Sequence, residues 1–215
     1  MEERAQLESE GRLAEYRALR MILTGPPGAG KSRTVRAIAA LRKQRAREEA
    51  RLRSLVSGSA REVERLAEEA GRGACVLGAP TGTAAFQMKS AATTLHRLFG
   101  IPIGACAPTR SEAALAKRTR RLRAATLIAL DEFSMIGRQM LGKIKYKVDE
   151  ALGAERSNVG LVTSMGGKDV MLSGDPDQAA PIGDDSFHKE GASTREGVKK
   201  GKDGKPAPAG AVETC

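Results

Sequence analysis

A glycine-rich stretch near the N-terminus, GPPGAGKS, has the composition and spacing of a phosphate-binding loop. It runs from Gly25 to Ser32 and fits the pattern G-x-x-x-x-G-K-[S/T]. Glycines let backbone N–H groups turn towards an anion, and the N-terminus of a following helix favours negative charge. Lys31 is expected to reach the β- and γ-phosphates of a nucleotide, and Ser32 to place its hydroxyl on Mg²⁺. The alternative is a plain Gly-Pro turn between a strand and a helix.

A second stretch, LIALDEFSM, places two acids at the end of an apolar run. Asp131 is expected to hold Mg²⁺, directly or through water, and Glu132 to orient and polarise an attacking water. A kinase does not need the second acid, because its acceptor is not water. The pair therefore favours hydrolysis over phosphoryl transfer to another substrate. The alternative is a helix N-terminus that acidic residues stabilise.

Two further stretches carry polar residues at predicted strand ends. In MLSGDPDQ, Gln178 follows a strand and could hydrogen-bond the γ-phosphate or the attacking water; a plain polar turn is the alternative. In APTGTAAFQMKSAATTLHRLFG, the segment Thr81-Gly82-Thr83 opens a helix, where hydroxyls and free N–H groups suit a nucleic-acid phosphate. His96, in the same stretch, is a further candidate, although a packed or capping histidine is the commoner case.

The elements that must position these residues follow from the hydrophobic pattern. Buried strands are predicted at 20–24, 74–79, 125–130 and 169–172. Helices are predicted at 1–19, 33–41, 83–90, 93–99, 111–123 and 135–152, with two more inside 43–71 that break at 57–59. Strands that alternate with helices predict an α/β fold with a mostly parallel sheet, and such sheets bind ligands at the carboxyl ends of their strands.

The charge of the chain is strongly positive. Lys and Arg number 36 against 26 Asp and Glu, which gives a formal net charge of +10 and predicts a polyanionic partner. Segments 33–53 and 110–123 are dense in Arg and Lys, and such helical faces are usually just solvated. The second segment is also a candidate for phosphate contacts, through Arg118, Arg120 and Arg121. Phe86 and Phe99 are the candidates for stacking on bases, and core packing is favoured for both.

The cysteines and the chain ends indicate the compartment. Cys75, Cys106 and Cys215 lack metal or redox spacing, which indicates reduced thiols. The acidic N-terminus has no apolar h-region, and no apolar run approaches the roughly 18 residues of a membrane span. We therefore expect an intracellular protein without membrane contact, in the nucleus or mitochondrion if the source is eukaryotic. The segment 188–215, rich in Gly, Lys and Pro, is expected to be disordered.

In this order, the four stretches resemble the Pif-type DNA helicases, of the Pif/RecD-like group of superfamily 1. The matching motifs are GPPGAGKS (motif I), APTGTAA with TTLHRLFG (Ia and Ib), LIALDEFSMIG (II) and LSGDPDQAAPI (III). The resemblance covers 19–187 and predicts one RecA-like domain at 1–187, a P-loop NTPase with helices on both faces of its sheet, in which 43–71 is a helical insertion. It implies ATP hydrolysis that drives 5′-to-3′ movement on single-stranded DNA, with roles in DNA repair, recombination and telomere maintenance.

The resemblance also assigns the site. It implies ATP and Mg²⁺ as cofactors, with Ser32 and Asp131 on the metal. The catalytic residues that it implies are Lys31, Asp131, Glu132 and Gln178, and the DNA contacts are Thr81, Gly82, Thr83 and His96. The nucleotide-binding residues that it implies are Gly25, Pro26, Pro27, Gly28, Ala29, Gly30, Lys31, Ser32 and Arg33.

Several departures keep alternatives open. Ala29 stands where the family usually has threonine, and Gln6 is a weak candidate for the adenine-reading glutamine. The family has a second RecA-like domain with motifs IV to VI and an arginine finger, and we expect this chain to lack it through truncation or to receive it in trans. The alternatives are a catalytically incomplete module that binds ATP and DNA, and another P-loop NTPase such as an AAA+ ATPase or a nucleotide kinase.

Overall fold

Five parallel strands form one sheet in the computed structural model, which describes residues 18–55, 58–104, 106–153 and 164–187. The spatial order is β1-β5-β4-β2-β3, and every neighbouring pair is parallel. The strands are β1 (Arg20–Thr24), β2 (Cys75–Ala79), β3 (Thr93–Thr94), β4 (Leu127–Leu130) and β5 (Asp169–Gly174). The predicted α/β fold with a parallel sheet is therefore confirmed.

Helices connect the strands throughout the described ranges. They are α1 (Lys31–Ser54), α2 (Ala60–Gly73), α3 (Gly82–Met88), α4 (Leu95–Phe99), α5 (Glu112–Ala124) and α6 (Arg138–Leu152). A 3-10 turn at Phe133–Met135 follows β4. None of these helices combines the length and the apolar character that crossing a membrane requires. Residues 1–17 of the helix predicted at 1–19, with Gln6, and the tail at 188–215, with Cys215, lie outside the described residues, and residues 18 and 19 are not helical.

Apolar side chains cover both faces of the sheet. On β4, Ile128 and Leu130 belong to one buried cluster, whereas Leu127 and Ala129 belong to another, as the alternation of a strand requires. The first cluster contains apolar residues of α4, α5 and α6, and the second contains Val35 and Ala39 of α1 with Met88 of α3. The sheet therefore has helices on both faces, as the sequence predicted.

The helix after the glycine-rich loop is longer than predicted. The prediction ended it at residue 41 and began a separate helix near residue 43, but α1 runs without a break to Ser54. No glycine or proline occurs between Lys31 and Ser54, so nothing in the sequence stops the helix. The second half of α1 packs on α2, and Arg51 pairs with Glu64 across the two helices at 2.8 Å.

Three further boundaries differ from the prediction. The segment 93–99, predicted as a helix, begins with the two strand residues of β3, which pair with Gly78 and Ala79. The helix predicted at 135–152 begins only at Arg138, after Gly137 at the N-cap position. β5 extends two residues beyond the prediction, to Gly174.

The first strand is less buried than the sequence indicated. β1 alternates between exposed and half-buried residues, and Ile22 is 57% exposed. Within the described ranges β1 is the last strand of the sheet, with β5 on one side. The apolar run Met21–Leu23 predicts a buried strand. An end strand contacts a neighbouring strand along only one edge, however, so its residues are less covered than those of a central strand. That interpretation is therefore wrong.

A cluster of buried charges joins α5 to α6. Glu150 accepts hydrogen bonds from the guanidinium of Arg118 and, at 3.1 Å, from Lys147 Nζ. The same carboxylate accepts from the amide and hydroxyl of Thr109 at 2.6 and 2.8 Å. The side chains of Arg118 and Lys147 are only 5% and 1% exposed. We call these four residues the Glu150 cluster; it fastens the loop before α5 to α6.

Candidate nucleotide-binding site

Glycines in the left-handed region shape the loop between β1 and α1. Gly28 and Gly30 have φ angles of 80° and 86°, and a Cβ built on either would meet no atom within 4 Å. The carbonyl of Gly30 accepts from the N–H groups of Arg33 and Thr34, which starts α1. Because the first N–H groups of a helix have no carbonyl partner within it, the start of α1 can hold an anion.

Lys31 folds back over this loop. Its Nζ donates to the carbonyl oxygens of Gly25 and Pro26 at 2.6 and 2.9 Å. The amide of Ala29 donates to the same Pro26 carbonyl at 3.2 Å, closing a turn. The ammonium group of Lys31 therefore lies against the backbone carbonyls of the loop. Phosphate oxygens bound in the loop would compete with these carbonyls for the ammonium group.

The strand ends bring the loop to the first acid of the DEF sequence. β5 lies between β1 and β4, and the register aligns Thr24 with Gly174 and Leu130 with Leu172. Residues that follow these strands therefore meet at one edge of the sheet. There Ser32 Oγ donates to Asp131 Oδ2 at 3.2 Å, and Asp131 is only 4% exposed.

These two oxygens suit a magnesium ion. Mg²⁺ is held in many nucleotide sites by one or two protein oxygens, with water and substrate phosphates as the other ligands. No group of three or more His, Cys, Asp or Glu side chains that could hold a metal occurs in the described part of the chain. The Ser32 hydroxyl and the Asp131 carboxylate therefore fit a metal shared with a phosphate better than a metal held by protein ligands alone.

Glu132 lies beside this pair in a strained conformation. Its φ of 53° is in the left-handed region, which glycine, asparagine and aspartate adopt more readily than glutamate. Burial raises the pKa of the Glu132 carboxyl, and the carboxylates of Asp131 and Asp175 raise it further, while Lys31 acts in the opposite direction. The charges that act on this pKa show that the Glu132 carboxyl lies near Asp131, Asp175 and Lys31.

The turn after β5 contacts the turn after β4. A Cβ on Gly174 would lie 2.8 Å from the backbone nitrogen of Phe133, so only glycine fits there. Asp175 is buried, accepts from the Asp177 amide through Oδ1, and accepts from the Gln178 amide through its carbonyl. Gln178 is half-buried in this turn, and β5, the strand that precedes the turn, is the direct neighbour of β1, which precedes the glycine-rich loop.

A latch behind this turn was not predicted from the sequence. The Asp184 carboxylate accepts from the amides of Gln139 and Met140, the first turn of α6, at 3.2 and 3.1 Å. Phe187 packs near Phe133, with ring centroids 6.0 Å apart. The segment after Gln178 is thereby fixed to Phe133 and to the first turn of α6. An aspartate 45 residues from the helix it caps gives no local sequence signal.

The predicted DNA residues lie after β2 and in α4. Thr81 caps α3, and its Oγ1 accepts from the Ala84 amide at 3.1 Å, while Gly82 and Thr83 are exposed. His96 is half-buried in α4. Phe86 was expected in the core but is 84% exposed on α3, so that expectation is wrong for Phe86. It is confirmed for Phe99, which is fully buried.

The arginines of α5 do not act as one group. Arg118, proposed as a phosphate contact, is buried in the Glu150 cluster and also donates to the Phe99 carbonyl at 3.2 Å. It is therefore unavailable to DNA, and that interpretation is wrong. Arg120 and Arg121 are exposed. Arg118 and Arg121, three positions apart, are neighbours on the helix surface, whereas Arg120 lies on a different side of the helix.

The sequence also matches a known protein family. The model of a protein family described as AAA domain matches residues 13–184, which is most of the chain. The chain belongs to this AAA domain family. No curated protein matches it in sequence.

Solved structures similar to this AAA domain come from Pif1 helicases. Unliganded Pif1 from Bacteroides sp has 22% sequence identity and a TM-score of 0.52, with 84% of this chain and 33% of that chain covered. Pif1 from Bacteroides sp in complex with ADP-AlF4 has 24% identity and a TM-score of 0.51, over 82% and 33%. A structure on DNA unwinding at forked dsDNA by two coordinating Pif1 helicases has 24% identity and a TM-score of 0.51, over 82% and 34%.

These similarities confirm the predicted resemblance in fold. The AAA domain has the parallel sheet of the RecA-like P-loop fold, with the glycine-rich loop and Asp131 at one edge of that sheet. The chain spans about a third of the length of the Pif1 chains that it matches. At these identities the similarity shows the fold.

Proposed function

We propose that this AAA domain binds and hydrolyses ATP as the first RecA-like domain of a Pif-type helicase that moves 5′ to 3′ on single-stranded DNA. The observation that carries the proposal is the hydrogen bond from Ser32 to Asp131 beneath the glycine-rich loop, with Glu132 next to it. The proposal includes roles in DNA repair, recombination and telomere maintenance, and an intracellular location.

The nucleotide occupies the loop from Gly25 to Arg33 in this proposal. Lys31 exchanges its bonds with the loop carbonyls for the β- and γ-phosphates, since a charge-assisted bond to an anion is stronger than one to a neutral carbonyl. Ser32 and Asp131 would hold Mg²⁺, which would neutralise charge on the phosphate oxygens. The complex of Bacteroides sp Pif1 with ADP-AlF4 supports nucleotide binding in this fold.

Hydrolysis depends on the two acids and the amide in different ways. Asp131, hydrogen-bonded to Ser32, stays in place on the metal side. Glu132 orients and polarises the attacking water, and the contact of Gly174 with the Phe133 backbone keeps the turn that carries Glu132 in place. Gln178 senses the γ-phosphate from the turn after β5. Phe187 couples that turn to Phe133, and Asp184 couples it to the first turn of α6.

Single-stranded DNA contacts the carboxyl edge of β2 in this proposal. Thr81, Gly82 and Thr83 bind phosphates through hydroxyl and backbone groups, and His96 lies on the next helix. Phe86 adds an exposed ring on α3 on which a base can stack. The structure on forked dsDNA unwinding by Pif1 helicases supports a DNA partner for this fold.

The proposed arginine finger comes from a second RecA-like domain, in the same protein or in trans. An arginine finger accelerates phosphoryl transfer by about 10³–10⁵-fold. Residues 1–215 alone are therefore expected to bind Mg-ATP, to hydrolyse it slowly, and not to unwind duplex DNA. The alternative of a catalytically incomplete ATP- and DNA-binding module predicts binding without any turnover.

The nucleotide site is tested with one lysine and one acid. Lys31→Ala should abolish binding of a fluorescent ATP analogue, whereas Lys117→Ala, on the exposed face of α5, removes the same charge and should leave the affinity unchanged. Glu132→Gln should bind the analogue and stop hydrolysis. Unchanged affinity in Lys31→Ala contradicts the site, and full turnover in Glu132→Gln contradicts the role of the acid.

The helicase part is tested by ATPase assays with and without a single-stranded oligonucleotide, beside strand displacement on a 5′-tailed duplex. The expected result is slow turnover that the oligonucleotide barely stimulates. Robust DNA-stimulated turnover by the monomer would refute the need for a second domain. Phe86→Ala should lower the affinity for the same oligonucleotide, measured by fluorescence anisotropy. An unchanged affinity would show that Phe86 does not contact the DNA.

A further inference from the structure

Two buried hydroxyl groups at the ends of neighbouring strands have no hydrogen-bond partner among the described residues. They belong to Ser173, near the end of β5, and to Ser134, in the 3-10 turn after β4. Ser173 is only 1% exposed, and Ser134 is fully buried. A buried polar group without a partner costs free energy, and native proteins contain few such groups. Each of these hydroxyls therefore needs an explanation.

Ser173 lies on the face of the sheet that α1 covers. Met171 belongs to the buried cluster that includes residues of α1, and side chains two residues apart on a strand share a face. The same rule applies to β4, where Ala129 belongs to that cluster and Asp131 follows two residues later. The side chains of Asp131 and Ser173 are therefore on the same face, beneath the start of α1.

Ser173 is also next to Asp131 across the sheet. β4 and β5 pair in register at Leu130 and Leu172. The Asp131 amide still donates to the Gly78 carbonyl of β2 at 2.9 Å, so the backbone of β4 keeps its course for one more residue. Asp131 therefore comes opposite Ser173. Neighbouring strands lie about 4.8 Å apart, which makes two side chains on the same face direct neighbours.

The Asp131 carboxylate can accept a further donor. Its Oδ2 accepts from Ser32 Oγ at 3.2 Å, and no other side chain or amide among the described residues donates to it. An ionised carboxylate has about four acceptor positions. A carboxylate that ligates a metal is usually held by a hydrogen bond from a residue outside the ligand set. Ser32 is itself a proposed ligand of Mg²⁺, so the donor from outside the ligand set must come from another residue.

From these observations we propose that Ser173 is a positioning residue of the metal site. Its hydroxyl donates to the Asp131 carboxylate when Mg²⁺ and nucleotide are bound, and it fixes the orientation of that carboxylate. A rotation about the Cα–Cβ bond of Ser173 redirects the hydroxyl without moving the strand. This inference rests on the proposed function, because it concerns the metal of the ATP site. Ser134 receives no such role, since it lies past the end of β4, where no strand register places it beside a carboxylate.

The test uses residues 1–215, a fluorescent ATP analogue and a Mg²⁺ titration. Ser173→Ala should reduce the gain in nucleotide affinity that Mg²⁺ provides by about tenfold, as expected for the loss of a hydrogen bond to a charged group. In EDTA the two proteins should bind the analogue equally, because Ser173 acts only through Asp131 and the metal. The matched control is Thr126→Val, which removes a hydroxyl at the amino end of β4 and should leave both affinities unchanged.

Stability without nucleotide separates this role from a structural one. The Ser173 hydroxyl has no partner among the described residues, so its removal relieves the cost of a buried unpaired group. Ser173→Ala should therefore unfold at the same urea concentration as the parent or at a higher one. A lower midpoint would show that the hydroxyl stabilises the protein by itself, and it would overturn the proposal.

A second background tests the route through Asp131. In Asp131→Ala, the further change Ser173→Ala should not reduce the remaining Mg²⁺ dependence, because both residues act through one carboxylate. A further loss of the same size, or an unchanged Mg²⁺ dependence in Ser173→Ala alone, would overturn the proposal while leaving the nucleotide site intact. A parent protein whose nucleotide affinity does not depend on Mg²⁺ would instead overturn the proposed metal site, and this inference with it.

Discussion

Replacing Glu150 with glutamine should cost the protein a large part of its stability, although Glu150 lies outside the nucleotide site. The amide keeps the shape of the side chain but removes its charge. Arg118 and Lys147, which are 5% and 1% exposed, would then lie buried without their shared counter-charge. The amide and the hydroxyl of Thr109 donate to the two oxygens of this carboxylate. Because glutamine has only one side-chain oxygen, Thr109 would also lose one of these two acceptors.

The magnitude follows from the burial of the partners. Removing one member of a buried ion pair costs about 3–5 kcal/mol, because the remaining charge is left unpaired in a low dielectric. The side chain of Glu150 is 16% exposed, so water screens the cluster in part, and we expect a loss near the low end, about 3 kcal/mol. For a domain of this size that corresponds to a fall in Tm of roughly 6–12 °C.

The assay is urea unfolding followed by circular dichroism, beside a thermal melt. The control is Glu64→Gln, which removes the same charge from the exposed pair that Glu64 forms with Arg51. Exposed pairs are screened by water and contribute little, so the control should barely move the unfolding midpoint. A loss in Glu150→Gln no larger than in the control would refute the argument that the Glu150 cluster is desolvated.

The pH dependence gives an independent check. Burial acts to raise the pKa of Glu150, but hydrogen bonds from Thr109 and Lys147 outweigh it and hold the pKa below its ordinary value. A carboxyl with a lowered folded-state pKa contributes stability above its unfolded pKa of about 4.3 and loses that stability as the pH falls through the folded value. The parent should therefore lose stability below about pH 4 more steeply than Glu150→Gln.

Three smaller predictions concern the site and its supports. Because the pKa of Glu132 is raised and its carboxylate is the active form, hydrolysis should fall with decreasing pH at a higher pH than for an ordinary glutamate, and a profile centred near pH 4 would contradict this. Gly174→Ala should lower the free energy of unfolding by about 1–3 kcal/mol, because the new Cβ clashes with Phe133. Gly142→Ala, in α6 with open space around it, should raise the free energy of unfolding by roughly 0.5–1 kcal/mol. Equal urea midpoints of the two variants would contradict the packing argument. Asp184→Ala removes the cap of α6 and should lower the free energy of unfolding by about 1 kcal/mol, whereas Asp184→Asn should keep most of that stability. An alanine variant as stable as the parent would contradict the role of Asp184 as a cap.

Motifs that end a strand were the most predictable part of this protein. Glycine spacing and the acid pair place the loop and Asp131 at strand ends, and the parallel register then brings Ser32 and Asp131 together. That step needs only the rule that parallel strands share a carboxyl edge. The order of the strands in the sheet could not be obtained this way, so the exposure of Ile22 on β1 was missed.

Helix faces were the least predictable part. Phe86 and Phe99 both lie in short apolar helices, yet Ala85 and Met88 take the inward positions of α3 and leave Phe86 outside. Arg118 resembles its exposed neighbours in sequence, and partners outside its own helix, Glu150 and the Phe99 carbonyl, make its burial favourable. Contacts between residues far apart in the chain leave no periodic signal, which is why the sequence could not separate a buried arginine from a solvated one.

The left-handed backbone at Glu132 has a consequence for directed evolution of this domain. A glutamate at φ 53° is held where glycine or asparagine would be more favourable, by about 1 kcal/mol for glycine. A library randomised at position 132 and selected only for folded, protease-resistant protein should therefore drift towards glycine or asparagine. The same library selected for ATP turnover should return to the carboxylate. The two selections would then separate, at a single position, what the chain needs in order to fold from what it needs in order to act.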